Sequence, residues 1–174
     1  NSVNALLKVI EEPNDNINFI LINSNKRVLA TLKSRCINFK ISLSQNQVIE
    51  IANKIIDQDI YDLINKELIN YYTTPGQLLR VLKISEEFEI DVKNLSLENF
   101  LSLIIKNKLY KKDKKLIELT YSFIEIYFRN KVNIKNIEIL SFYTFFLKKI
   151  INTKIYNLDE ESIFMEFEDR ILNG

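Results

Sequence analysis

The sequence predicts a mainly α-helical chain that opens with the closing piece of an α/β core. Three observations carry that expectation. Only two glycines and two prolines occur in 174 residues of 47% apolar content, which leaves little room for long loops and favours helices joined by short polar turns. From Ser44 onward, apolar residues recur at helical spacing. Before Ser44, two short runs read instead as strands, one nearly all apolar and one alternating.

The elements follow in order. Val3, Leu6, Leu7 and Ile10 fall on one helical face, and Pro13 ends that helix by removing an amide and restricting Glu12. Ile17, Phe19, Ile20, Leu21 and Ile22 form an apolar run, the pattern of a strand covered on both faces in a parallel sheet. After the polar loop Asn23-Ser24-Asn25, Val28, Leu29 and Leu32 predict a short helix ending near Ser34-Arg35-Cys36. Ile37, Phe39 and Ile41 then alternate with Asn38 and Lys40, as in a half-buried strand. Two strands and two helices leave open edges and an uncovered apolar face, so this piece needs further partners.

Ser44 and Gln47 have capping-box spacing ahead of a stripe of Val48, Ile51, Ala52, Ile55 and Ile56. A second helix is expected from about Ile60 to Tyr72, with Ile60, Leu63, Ile64, Leu68 and Tyr71 inward. Thr74-Pro75-Gly76-Gln77 starts a third, with Thr74 as N-cap, Pro75 in the first turn and Gln77 closing the box. The polar stretch from Glu86 to Asn94 reads as a linker, after which Ser96 caps a helix carrying Phe100, Leu101, Ile104 and Ile105. Leu116 to Phe128, Ile137 to Ile151 and Leu158 to Leu172 each read as long helices, the first two apolar over more than one face.

Composition narrows the function classes. Lys+Arg and Asp+Glu stand at 24 against 23, so the net charge of +1 supplies no long-range field for a phosphate backbone or an anionic membrane. One cysteine forms no internal disulfide, and the absence of histidine removes the usual zinc ligand sets, which suits a reduced cytosolic compartment. Charges interrupt every apolar stretch well short of a membrane span. The chain starts at Asn1 with no charged n-region or small-residue cleavage site, so no signal peptide is expected and the chain reads as a fragment.

Read together, NALLKVIEEP at 4–13, NFILI at 18–22 and TLKSRC at 31–36 resemble the bacterial clamp-loader branch of the AAA+ ATPases. In that family the three blocks are the helix after the Walker B strand, the strand leading to sensor 1, and the Ser-Arg-Cys motif. The resemblance implies three parts: the end of an AAA+ core over 1–41, a three-helix lid over 42–90 and a helical collar for oligomerisation over 91–174. It also implies that Arg35 is an arginine finger, supplied in trans to ATP bound by a neighbouring subunit. Phosphoryl transfer spreads negative charge over the γ-phosphate oxygens, and a planar, permanently charged guanidinium stabilises it. On spacing alone, Arg35 is an arginine that relieves a helix dipole. Cys36 reads as a packing residue, with no histidine to activate it, and Ser34 as a turn cap or a support for Arg35.

Two departures bear on which branch this is. Asn23-Ser24-Asn25-Lys26 is shorter than the Thr-rich sensor 1 of the hydrolysing branch and lacks its proline. Gly76 falls where the hydrolysing gamma/tau branch carries its sensor 2 arginine, so Thr73-Thr74-Pro75-Gly76 is closer to the delta-prime pattern. With no Walker A or Walker B segment in the chain, this piece is expected to bind no cofactor itself and to lack a complete active site. The implied role is that of a non-hydrolysing subunit of the DNA polymerase III holoenzyme, a nucleotidyltransferase. Its implied partners are the delta and gamma/tau subunits, with the sliding clamp and primed DNA engaged through the complex. A gamma/tau fragment and a purely structural helical adaptor remain as alternatives.

The other candidates have plainer readings. Arg80 is expected to face solvent, and Lys111 to Lys115 to form a solvated turn. Phe142, Tyr143, Phe145 and Phe146 suit a bundle core or a subunit contact. Glu11-Glu12 and Glu160-Glu161 are adjacent on a helix, diverge, and make poor acid-base pairs.

Overall fold

The computed structural model describes residues 7, 9–10, 16–23, 28–70, 73–131 and 137–173. The chain divides into two compact units, 1–42 and 43–174.

In the first unit, Leu7, Val9 and Ile10 are helical; the rest of the expected first helix, with Pro13, lies outside the described residues. A four-residue helix, α1, spans Ala30–Lys33. The two runs expected as strands carry no regular secondary structure among the described residues. Their side chains are largely uncovered, with Ile22 95% and Phe39 82% exposed. The physical reason is that a strand is held by its neighbours: backbone groups need a facing chain and an apolar run needs a covering layer.

The second unit is helical. α2 spans Gln45–Ile56 and starts on a full capping box. The Ser44 amide donates to Gln47 Oε1 at 2.9 Å, and the Gln47 amide donates to Ser44 Oγ at 3.4 Å. It ends at Asp57, in the left-handed region at φ 57°. The chain then turns back, with the Ile60 amide donating to Asn53 Oδ1 at 2.8 Å.

The helix expected over 60–72 is broken. α3 covers only Ile60–Leu63, and a 3-10 turn follows at Lys66–Leu68. Asp59 Oδ1 takes the Tyr61 amide and Asn65 Oδ1 takes the Glu67 amide, both at 3.0 Å. Each side chain starts a new turn in competition with a continuous helix. Ile60, Ile64 and Leu68 are nevertheless fully buried, as the helical stripe required. Tyr71 lies outside the described residues.

α4 spans Pro75–Glu87 and buries Leu78, Val81 and Ile84. The stretch read as a linker is packed. Ile90 and Val92 are buried, the Val92 carbonyl accepts from the Asn65 amide at 3.0 Å, and Ser85 Oγ donates to the Ile90 carbonyl at 2.5 Å. Two apolar residues inside a polar run suffice to pin it, because burying each removes it from water for roughly 1.5–3 kcal/mol.

α5 covers Leu97–Lys106, with Ser96 Oγ accepting from the Asn99 amide at 3.2 Å. α6 (Lys114–Lys131), α7 (Ile137–Tyr156) and α8 (Glu160–Phe167) follow, and α8 runs on into a π-helical turn at Glu168–Leu172. α6 buries residues on several sides, among them Leu119, Tyr121, Phe123, Ile124 and Phe128, as its apolar pattern predicted. One apolar core runs from Val48 to Phe167. Its centre is aromatic: the Phe146 ring centroid lies 5.6 Å from Phe128 and 5.4 Å from Phe167, and Phe123 meets Phe100 edge-on at 5.3 Å. Such pairs add about 0.5–1.5 kcal/mol each beyond area burial. Burial pushes the Tyr110 hydroxyl up to about 12, so that ring stays neutral and packs on Phe164 at 4.6 Å.

Candidate functional site

α1 is too short to satisfy its own ends, and Ser34-Arg35-Cys36 is built from that shortage. A four-residue helix leaves most of its carbonyls without intrahelical partners. The side chains that follow supply them. Ser34 Oγ donates to the Thr31 carbonyl at 3.0 Å, and Arg35 Nη1 donates to the same oxygen at 2.8 Å. Asn38 Nδ2 donates to the carbonyls of Lys33 at 3.1 Å and Cys36 at 2.9 Å, closing the turn.

The arginine therefore acts locally as a C-terminal helix cation, holding the Thr31 carbonyl at the negative end of the dipole. It does so while exposed to solvent, so the guanidinium stands at the surface of its unit. Ser34 takes the turn-capping role. Cys36 is a free thiol of intermediate burial.

The second candidate is the start of α4. The Gln77 amide donates to Thr74 Oγ1 at 3.3 Å, and the Thr74 amide donates to Gln77 Oε1 at 2.9 Å. Pro75 occupies the first turn, where its missing amide costs no hydrogen bond. A Cβ built on Gly76 meets nothing within 4 Å, and its φ lies outside the left-handed region. Glycine is thus required there neither by backbone conformation nor by crowding at the Cβ position.

Arg80 corrects its sequence reading. Its side chain is only 24% exposed, and Nη1 donates to Asp113 Oδ2 at 2.6 Å. The Lys115 amide and Arg80 together hold the Asp113 carboxyl below its ordinary value. No sequence signal marks this pair, since 33 residues separate its members.

The basic turn is likewise more engaged than a solvated loop. Lys111 Nζ and Lys108 Nζ both sit 2.6 Å from Glu161, which stays with its carboxyl lowered to about 2 by Lys108 and Lys111. Lys112 Nζ lies 4.5 Å from the centre of the Phe88 ring. Glu160 and Glu161 do not form an acid-base pair; Glu161 is the anchor of two lysines, and Glu11-Glu12 lie outside the described residues. Of the four aromatics at 142–146 of α7, Phe146 is fully buried, Phe142 and Tyr143 pack against the core and Phe145 is partly exposed.

Among the described residues, no group of acidic, cysteine or histidine side chains could hold a metal ion, and no helix is long and apolar enough to cross a membrane.

Residues 1–45, which contain α1 and Arg35, match the family described as DNA polymerase III, delta subunit. The chain is also similar to two proteins named DNA polymerase III subunit gamma. With that of Buchnera aphidicola subsp. Acyrthosiphon pisum it shares 28% identity over 95% of this chain and 48% of the relative. With that of Buchnera aphidicola subsp. Schizaphis graminum it shares 30% identity over 62% of this chain and 31% of the relative. The chain thus spans less than half the length of the curated relatives it matches. No solved structure matches it. The chain is thus similar to subunits of DNA polymerase III over its first 45 residues and, through one gamma subunit, over 95% of its length.

Proposed function

We propose that the chain is part of a gamma-type clamp-loader subunit of DNA polymerase III, in which residues 42–90 act as a lid and 91–174 as a collar on its sister subunits. The observation that carries this reading is the likeness to a gamma subunit over 95% of the chain, well beyond the 1–45 family match. In it, Arg35 leaves the Thr31 carbonyl and reaches the γ-phosphate of ATP held by the adjoining protomer. Its surface position on a short, locally capped helix suits that task, because a solvent-exposed guanidinium meets a triphosphate through stronger, charge-assisted hydrogen bonds than it makes with a carbonyl. The partners are the delta and gamma/tau subunits, with the sliding clamp and primed DNA reached through the assembly in the cytoplasm.

A second reading, a non-hydrolysing delta-prime-type subunit, is favoured by Gly76, where a hydrolysing member carries an arginine. The two readings separate on one measurement. The complete protein, isolated, binds and hydrolyses ATP if it is gamma-type and does neither if it is delta-prime-type.

The finger itself is tested by Arg35→Ala in the reconstituted complex. ATP hydrolysis at the neighbouring site falls by about 10³-fold or more, with assembly intact. Unchanged turnover makes the chain a structural adaptor instead.

A further inference from the structure

The second unit holds two glutamine capping boxes built alike. At α2 the Ser44 amide donates to Gln47 Oε1, and at α4 the Thr74 amide donates to Gln77 Oε1, both at 2.9 Å. A capping box closes equally well on glutamate, whose charge also suits the positive end of the helix dipole. What glutamine adds is a donor. At α2 that donor makes no hydrogen bond among the described residues. At α4, Gln77 Nε2 donates to Ser122 Oγ on α6 at 3.3 Å, 45 residues away in sequence. Both ends of the Gln77 amide are thus engaged, one inside α4 and one on α6. One turn on, Arg80 Nη1 donates to Asp113 Oδ2, while Asp113 Oδ1 accepts the Lys115 amide in the first turn of α6 at 2.9 Å. Each helix start therefore carries a side chain that closes its own first turn and grips the other helix. Beneath these ties α4 and α6 share one apolar core that includes Leu78, Val81, Leu116 and Leu119, and the Leu97 amide donates to Glu67 Oε2 at 2.9 Å.

We propose that Ser122 is a positioning residue for the start of α4: by holding the far end of the Gln77 amide it fixes the Thr74-Pro75-Gly76 turn relative to α6, so that residues 43–174 carry that turn as one body. The shared core sets how closely the two helices approach. Apolar contact is non-directional, however, and it leaves the orientation of a helix's first turn to directional bonds. An amide bonded at both ends keeps a single side-chain conformation, so the cap closes on a group already ordered by α6. The bond to Ser122 is partly buried, where the lower dielectric strengthens it. What the turn faces rests on the proposed clamp-loader reading, in which Gly76 stands where a hydrolysing member carries an arginine; the tie to α6 does not.

The test is solvent exchange of assigned amides by NMR on the complete protein. In Ser122→Ala, exchange at the Thr74 and Gln77 amides rises about three- to tenfold, as expected for the loss of one hydrogen bond behind the cap. The Ser44 and Gln47 amides of the untied box do not change. Ser122→Thr keeps the Oγ acceptor and restores the unmodified rates. In the unmodified protein the Gln77 Nε2 protons exchange more slowly than those of Gln47, a comparison that needs no variant to fold. Equal exchange of the two side-chain amides overturns the proposal. So does an absence of change at Thr74 and Gln77 in Ser122→Ala, or an equal rise at Ser44 and Gln47, which would mark a general loosening. No nucleotide enters the measurement, so its failure leaves the Arg35 experiment untouched.

Discussion

The two units use the same apolar alphabet to different ends. In 1–42, isoleucine and phenylalanine fall in runs without regular secondary structure that stay exposed, with Ile20, Ile22, Ile37, Phe39 and Ile41 open to solvent. In 43–174, the same residue types at helical spacing close a continuous core in which Phe100, Phe146, Phe164 and Phe167 lose all contact with water. The difference lies in where each element finds its partners. A helix satisfies its backbone internally and needs only one covered stripe, whereas a strand needs neighbours for both backbone and side chains. The helical unit consequently holds the buried core, and the 1–42 unit carries the surface arginine.

The sharpest challenge to that contrast is Phe146→Ala. It removes a ring packed on Phe128 and Phe167 and lowers unfolding free energy by about 3–5 kcal/mol in a denaturant titration. A loss under about 1 kcal/mol would mean the core is less complete than its burial indicates.

Next comes acid. Lys108 and Lys111 hold the Glu161 carboxyl at about 2, against an ordinary 4.5. A depressed carboxylate contributes stability above its unfolded value and loses it as pH falls through the folded one. Stability should therefore decline between about pH 4.5 and 2, and Glu161→Gln should flatten that part of the curve. An unaltered acid limb would assign the loss to other carboxylates.

Smaller effects probe the start of α4. Thr74→Ala removes the side-chain half of its capping box and costs about 1 kcal/mol. Gly76→Ala works the other way: with nothing within 4 Å of the new Cβ, the variant gains roughly 0.5 kcal/mol through a less flexible unfolded chain. A thermal melt distinguishes the signs. Last, Phe39→Ser in the exposed run changes stability by no more than about 0.5 kcal/mol. A large destabilisation there would abolish the contrast between the units.

Several of these features were legible from residue order. Both capping boxes, the Ser96 cap, the short helix before Ser34 and the aromatic interior of α6 and α7 follow from spacing, because each is settled within a few residues of chain. The break after Leu63 was missed although Asp59 and Asn65 stood in view; both can cap or simply face solvent, and the stripe of Ile60, Ile64 and Leu68 suits either path. The buried Ile90 and Val92 were hidden by their polar neighbours. At the candidate site, the place of Arg35 at a helix end was readable, while its hydrogen bond to Thr31 depends on how the turn closes.

Local hydrogen bonding and periodicity, encoded within one or two helical turns, let the sequence alone determine most of the helices, the caps at Ser44, Thr74 and Ser96 and the short helix that ends at Ser34-Arg35-Cys36. Tertiary structure decided what that order does not contain: the pairing of Arg80 with Asp113 across 33 residues and of Glu161 with two lysines 53 and 50 residues earlier. Charges choose partners by distance in space, and only the packed core fixes which distant ends of the chain come within reach.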